Sequence, residues 1–162
     1  MTAAGEDPKI DIMRACIAQA TENASSGHGG PFAAIVVQEG RAIASGANAV
    51  TVNFDPTAHA EIQAIRAAGA SLRAFDLSGC ELFASCEPCP MCLAAVHWAR
   101  LDRVYFAATR FDAAAAGFDD ARLYTELGQP ASQRALSLIQ IPMPEARAPF
   151  EAWNRNPDRI PY

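Results

Sequence analysis

Two short segments concentrate the residue types that can hold a metal and move protons. Asp55-Pro56-Thr57-Ala58-His59-Ala60-Glu61 sets an imidazole two residues before a carboxylate. Ser85-Cys86-Glu87-Pro88-Cys89-Pro90-Met91-Cys92 sets three thiols at C-x2-C-x2-C spacing. Imidazole and thiolate suit zinc, and a catalytic zinc keeps three protein ligands with one position open to water. Cys89 and Cys92, three apart at a helix start, bring both sulfurs to one face. The partial positive charge of that helix N-terminus favours the thiolates. With His59 at the start of the preceding helix, two helix N-termini aim at one Zn2+ per subunit, held by His59, Cys89 and Cys92. Glu61 is then spare. A carboxylate beside an activated water takes its proton and passes it to a leaving amine, which is the work of a hydrolytic deaminase.

The elements that must position these residues follow from pattern. Asp7-Pro8 is an N-cap and first helical residue, opening an amphipathic run through Ala24. The stretch from Ser25 to Gly30 reads as a loop. Phe32–Gln38 reads as a buried strand, Glu39-Gly40 as its turn, and Arg41–Ala47 as its hairpin partner. A helix is expected from about Ala58 to Ala68, a strand at Leu82–Ser85, a helix at Cys89–Arg100 and a strand at Val104–Ala108. Ala113–Ala116 reads as helical. Glu126–Gln133 is mostly connection, Leu136–Ile141 a last strand, and Glu145–Asn154 a closing helix. Alternating strands and helices give an α/β fold, a three-layer α/β/α sandwich around a mixed sheet of about five strands.

Composition restricts the partners. The 162 residues suit one domain, since domains commonly run about 100–150 residues, and neither a linker nor a repeat interrupts residues 1–162. Thirteen Lys+Arg against eighteen Asp+Glu leave a net charge of −5, and Lys9 is the one lysine. Without a basic cluster there is little to neutralise phosphates, so no nucleic-acid partner is expected. No apolar run approaches the ~18 residues of a membrane span. Met1–Asp7 lacks the charged and apolar regions of a secretory signal, so the expectation is a soluble, cytoplasmic protein with no membrane partner. Five cysteines, an odd number, argue against a disulfide framework. Cys16, Cys80 and Cys86 read as small buried hydrophobes. His28 reads as solvated, His97 as a packing or hydrogen-bonded residue, and Trp98 as suited to core packing at least as well as to a pocket wall.

His-x-Glu followed by Pro-Cys-x-x-Cys is the signature of zinc nucleobase deaminases. Further residues extend the match: Gly30-Pro31-Phe32, Asn48, Trp98-Ala99-Arg100, Ala116-Gly117-Phe118-Asp119-Asp120 and Tyr162. On these the chain resembles the cytidine deaminase-like superfamily and, within it, the small bacterial guanine deaminases. Ala33 departs from that pattern, which has glycine there. The resemblance implies hydrolysis of guanine to xanthine and ammonia, with Glu61 and Asp120 catalytic. It implies substrate contacts from Phe32 (stacking), Asn48 (ring edge), Ala60, Asp120 and Tyr162. It also implies a homodimer that exchanges a C-terminal segment of about residues 145–162, the tail closing an active site. By composition alone, the polar tail with Pro157 and Pro161 would be frayed.

Other readings stay open. The substrate could be a guanosine-type nucleoside, another aminopurine or an aminotriazine such as ammeline. A tRNA adenosine deaminase shares the Asp55–Glu61 segment almost verbatim but needs a basic groove that this composition lacks. A structural zinc module needs a fourth ligand, which is hard to place here.

Overall fold

Asp7 and Pro8 start the first helix as their types predict. In the computed structural model, which describes residues 7–162, the Asp7 carboxylate accepts from Lys9 N at 3.0 Å and Pro8 takes the first helical position. Residues 1–6, most of the stretch read above for a secretory signal, lie outside the described residues. The chain divides into two compact units, one ending at Tyr124 and a second, Thr125–Tyr162.

The first unit runs α1 (Pro8–Ser25), β1 (Ala33–Gln38), β2 (Arg41–Ala47), α2 (Val50–Asn53), α3 (Ala60–Leu72), β3 (Cys80–Cys86), α4 (Pro90–Trp98), β4 (Arg103–Ala108) and α5 (Arg110–Ala115). Helix α6 (Asp120–Gly128) begins in it. The expected elements up to β4 are present, with ends moved by a few residues; α2 was not anticipated. Glu39 and Gly40 both have positive φ, 50° and 75°, the handedness that a tight hairpin turn requires. Strand order is β2-β1-β3-β4; β1 is antiparallel to both neighbours, and β3 and β4 are parallel across the α4 connection. Among the described residues the sheet is mixed, as expected, but has four strands rather than five.

Strand β1 explains the layering. Ala33 to Val37 are all buried, so both faces of the strand are covered and the sequence reads as an unbroken apolar run. Ala34 and Val36 pack with Ala60, Ala64 and Ala68 of α3 and with Val96 and Ala99 of α4. Ala33, Ile35 and Val37 pack with Cys16 and Ala20 of α1 and with Phe83. Helices therefore flank the sheet on both sides, the three-layer arrangement. Cys16 sits in the second cluster and Cys80 in the first, fully buried as expected of small hydrophobes. Among the described residues, no helix is long and apolar enough to cross a membrane.

The second unit contains 3-10 turns at Ala131–Gln133 and Pro144–Arg147 and helix α7 (Ala148–Arg155). The strand expected at Leu136–Ile141 is absent: that segment has no regular structure, and Leu138 and Ile139 are 67% and 83% exposed. Its apolar residues have strand-forming character, but a strand exists only where a neighbouring backbone accepts from its N–H groups and donates to its C=O groups. The closing helix forms later than expected, because Pro144–Arg147 first takes a tighter turn.

Helix α3 lies against β2 at Gly46. A Cβ there would collide with the Ala60 carbonyl oxygen and approach Ala64 N at 2.5 Å and Gln63 Cβ at 2.7 Å. Backbone atoms cannot swing aside. Gly46→Ala is expected to destabilise the protein by about 1–3 kcal/mol, the usual cost of overpacking, read as a lower urea midpoint at unchanged m-value.

Candidate metal centre and active site

His59 and Cys89 are the N-cap residues of α3 and α4, and Cys92 lies on the first turn of α4. His59 Nδ1 is 3.6 Å from Cys89 Sγ and 3.6 Å from Cys92 Sγ. All three ligand atoms fall within 4.8 Å of one another. A tetrahedral zinc with bonds of ~2.3 Å to sulfur and ~2.0–2.1 Å to nitrogen separates such a nitrogen and sulfur by about 3.6 Å. The donor set fits the ion in type, number and spacing. Both cysteines are buried and His59 is half-buried.

The side chains are already tuned to one another. Cys89 is lowered, chiefly by the hydrogen bond from the Cys92 thiol and then by the one with His59. Cys92, as donor to a thiolate, is raised. His59 is raised by its hydrogen bond to Cys89, against the opposing pull of burial. Glu61, on the first turn of α3, is 7% exposed, and burial raises its carboxyl above the ordinary range. Cys86 is buried too, pushed up to about 11 mainly by burial, and its thiol faces the Thr109 carbonyl at 3.5 Å. It is not part of the three-donor cluster.

A cavity of about 440 Å³ opens beside these donors. His59, Glu61 and Cys89 line it together with Phe32, Asn48 and Asp120. Burial, then the Cys89 thiolate, raises the Asp120 carboxyl. Asn48 is buried, and its Oδ1 accepts from Gly30 N at 3.2 Å and Val50 N at 3.3 Å. Asn23 Nδ2 donates to the Gly30 and Asn48 carbonyls at 2.8 and 2.9 Å, tying the end of α1 to the glycine loop. Gly29 belongs there, because any Cβ at that position would overlap the Asn48 carbonyl oxygen.

Seven of the nine expected site residues thus converge: His59, Cys89 and Cys92 as donors, and Glu61, Phe32, Asn48 and Asp120 around one cavity. Ala60 is fully buried in the core between α3 and β1, not among the cavity-lining residues. Tyr162 belongs to the second unit, 72% exposed with its ring 6.5 Å from Trp153. His28 is exposed, with Nδ1 2.7 Å from Ser26 Oγ. His97, read as packing or hydrogen-bonded, and Trp98, read as suited to core packing or a pocket wall, are both exposed, since α4 turns its opposite face to the core. Sequence reasoning did not single out Glu87 or Phe118. Both line the cavity, and Phe118 meets Phe32 edge-on at 4.7 Å. Phe118 stands beside Asp119-Asp120 in the segment already noted, which was the available signal.

Residues 7–108 match the cytidine and deoxycytidylate deaminase zinc-binding region, and the chain belongs to this family of zinc-binding deaminases. Over 151 residues it is 45% identical to the guanine deaminase of Bacillus subtilis (strain 168), a match covering 93% of this chain and 97% of that one. The X-ray structure of the Bacillus subtilis guanine deaminase superposes with a TM-score of 0.89 over 93% of this chain and 96% of that one. A solved structure in complex with 2,6-diaminopurine matches at a TM-score of 0.64 and 40% identity, over 67% of this chain and 60% of that one. The tRNA-specific adenosine deaminase of Aquifex aeolicus is 45% identical over only 78 residues, 48% of this chain and 52% of that one.

The purified protein should contain one zinc per chain by metal analysis. Replacing both cysteines (Cys89→Ser with Cys92→Ser) should abolish it. Full zinc retention in that double variant would overturn the ligand assignment.

Proposed function

We propose that this protein deaminates guanine hydrolytically, converting guanine and water to xanthine and ammonia. The observation that carries this reading is the extent of the match: similarity to a guanine deaminase runs through 93% of the chain, whereas similarity to the Aquifex aeolicus tRNA deaminase stops at 48%. The net charge of −5 argues in the same direction, since a tRNA stem calls for a basic groove.

The residues have complementary tasks. His59, Cys89 and Cys92 would hold the zinc, which when bound would supply Lewis-acid activation for the water that displaces the amine. Glu61 takes a proton from that water and hands it to the departing amine; its raised carboxyl pKa lies closer to the working pH, where such transfers are most effective. Phe32, held edge-on by Phe118, offers a face on which a flat base stacks. Asn48 has its Oδ1 committed to the Gly30 and Val50 N–H groups, which leaves its Nδ2 to donate to an acceptor on the ring edge. Asp120 accepts from the base's N–H groups. The Ala60 backbone, at the start of α3, lies within the same Ala58–Glu61 stretch.

The whole chain functions as a single deaminase domain in a homodimer whose C-terminal segments, about residues 145–162, are exchanged between subunits. Phe150, Ile160 and Tyr162, each more than 60% exposed, support this, since a tail so apolar gains by docking. Tyr162 then caps a bound base and excludes water, strengthening the hydrogen bonds to it. The enzyme acts on free bases in the cytoplasm, in purine metabolism.

Ammonia release against free bases, nucleosides and aminotriazines tests the substrate. Turnover of guanine with none on a tRNA anticodon stem is expected, and inosine formed in tRNA would reverse the assignment. Glu61→Gln should retain zinc yet lose at least the ~10²–10⁴-fold typical of general acid–base catalysis. Near wild-type turnover in that variant would remove Glu61 from the mechanism. Deleting Pro161 and Tyr162 should leave fold and zinc content intact while sharply lowering kcat/KM. An unchanged kcat/KM would make the tail a bystander.

A further inference from the structure

We infer that Tyr124, backed by Arg110, is a positioning residue that sets Asp120 at the correct depth over the zinc-binding turn. The inference rests on the reading of Asp120 as a group that touches the substrate. Asp120 is the first residue of α6 and Tyr124 lies four residues on, so the two share one helix face. Asp120 lines the cavity beside Cys89. One turn later, Tyr124 Oη donates to the Pro88 carbonyl at 2.7 Å. Pro88 immediately precedes the ligand Cys89, so one hydroxyl links the helix that carries the acid to the turn that carries the metal ligand.

The turn itself is anchored independently. Glu87 N donates to the Ala108 carbonyl at 2.8 Å, at the end of β4. Glu87 Oε2 accepts from Arg110 N at 3.1 Å and lies 3.5 Å from Arg110 Nε. That Nε is buried without a hydrogen bond, so the guanidinium is held by charge and by stacking: its Cζ stands 4.2 Å from the centre of the Tyr124 ring. Arg110 is thus clamped between the Glu87 carboxylate and the Tyr124 ring, and Tyr124 is fixed at both its face and its hydroxyl. Nothing in this group touches the space a substrate would fill except Glu87 and Asp120. Tyr124 acts through Asp120, and misplacing a reacting group by even ~1 Å can cost on the order of 10²-fold.

The test is a double-mutant cycle on the zinc-loaded protein. Tyr124→Phe keeps the ring under Arg110 and deletes only the hydroxyl. It should retain full zinc content and cooperative unfolding, while kcat/KM for guanine falls about 10–100-fold and xanthine affinity weakens. In an Asp120→Ala background, the same change should cost less than about threefold, because the group being positioned is gone. Tyr124→Leu, which removes the stack as well, should be worse than Tyr124→Phe in the Asp120 protein. Losses that multiply in the double variant, an unimpaired Tyr124→Phe, or one that loses zinc would each overturn the inference. If Asp120→Ala alone leaves turnover unchanged, it is the functional reading of Asp120 that fails.

Discussion

The molecule is organised around a convergence of two helix N-termini. Helices α3 and α4 both end their approach at the same point, one presenting His59 as its N-cap and the other Cys89. Three polarisable donors within 4.8 Å of one another, largely removed from water, form a costly arrangement for any chain without a cation to share. The sheet supplies the rigidity that this requires. Both helices pack on the β1 face that carries Ala34 and Val36, through small residues that allow close approach. The alanines of α3 and the glycine of β2 are therefore as much part of the metal centre as the ligands, since they fix where His59 emerges.

The same convergence divides the acidic groups into two kinds. Glu61 rides on the helix that carries His59, so its distance from the metal donors is set by one turn of backbone. Asp120 comes from a helix 59 residues further along the chain and has no such covalent guarantee. Its placement needs long-range ties, and the Pro88 carbonyl, which accepts from the Tyr124 hydroxyl, supplies one.

Legibility in the sequence followed this distinction between local and distant causes. The metal ligands were readable because both motifs place their donors by helical spacing within a few residues. The Asp7-Pro8 start, the Glu39-Gly40 turn and the apolar β1 run were readable for similar reasons: each is dictated by two to six adjacent residues. Tyr124 and Asn23 were not. Tyr124 meets Pro88 across 36 residues and Asn23 meets Asn48 across 25, and no local pattern announces either contact. Leu136–Ile141 failed in the opposite direction, since its local pattern was strand-like while the required pairing partner lay beyond what a pattern can specify. The exposure of His97 and Trp98 was not legible either, since α4 is apolar nearly all round, which leaves its buried face ambiguous from sequence.

Order of synthesis gives the apolar Leu136–Ile141 run a further significance. All four strands and every metal donor lie before residue 109, so the sheet and the centre can assemble while the remainder is still being translated. The run emerges from the ribosome after them, with Ile139 and Ile141 more than three-quarters exposed and no described strand of its own unit to join. Such a segment is prone to pair with copies of itself on neighbouring nascent or refolding chains. Covering that run is therefore a separate requirement from assembling the sheet that precedes it.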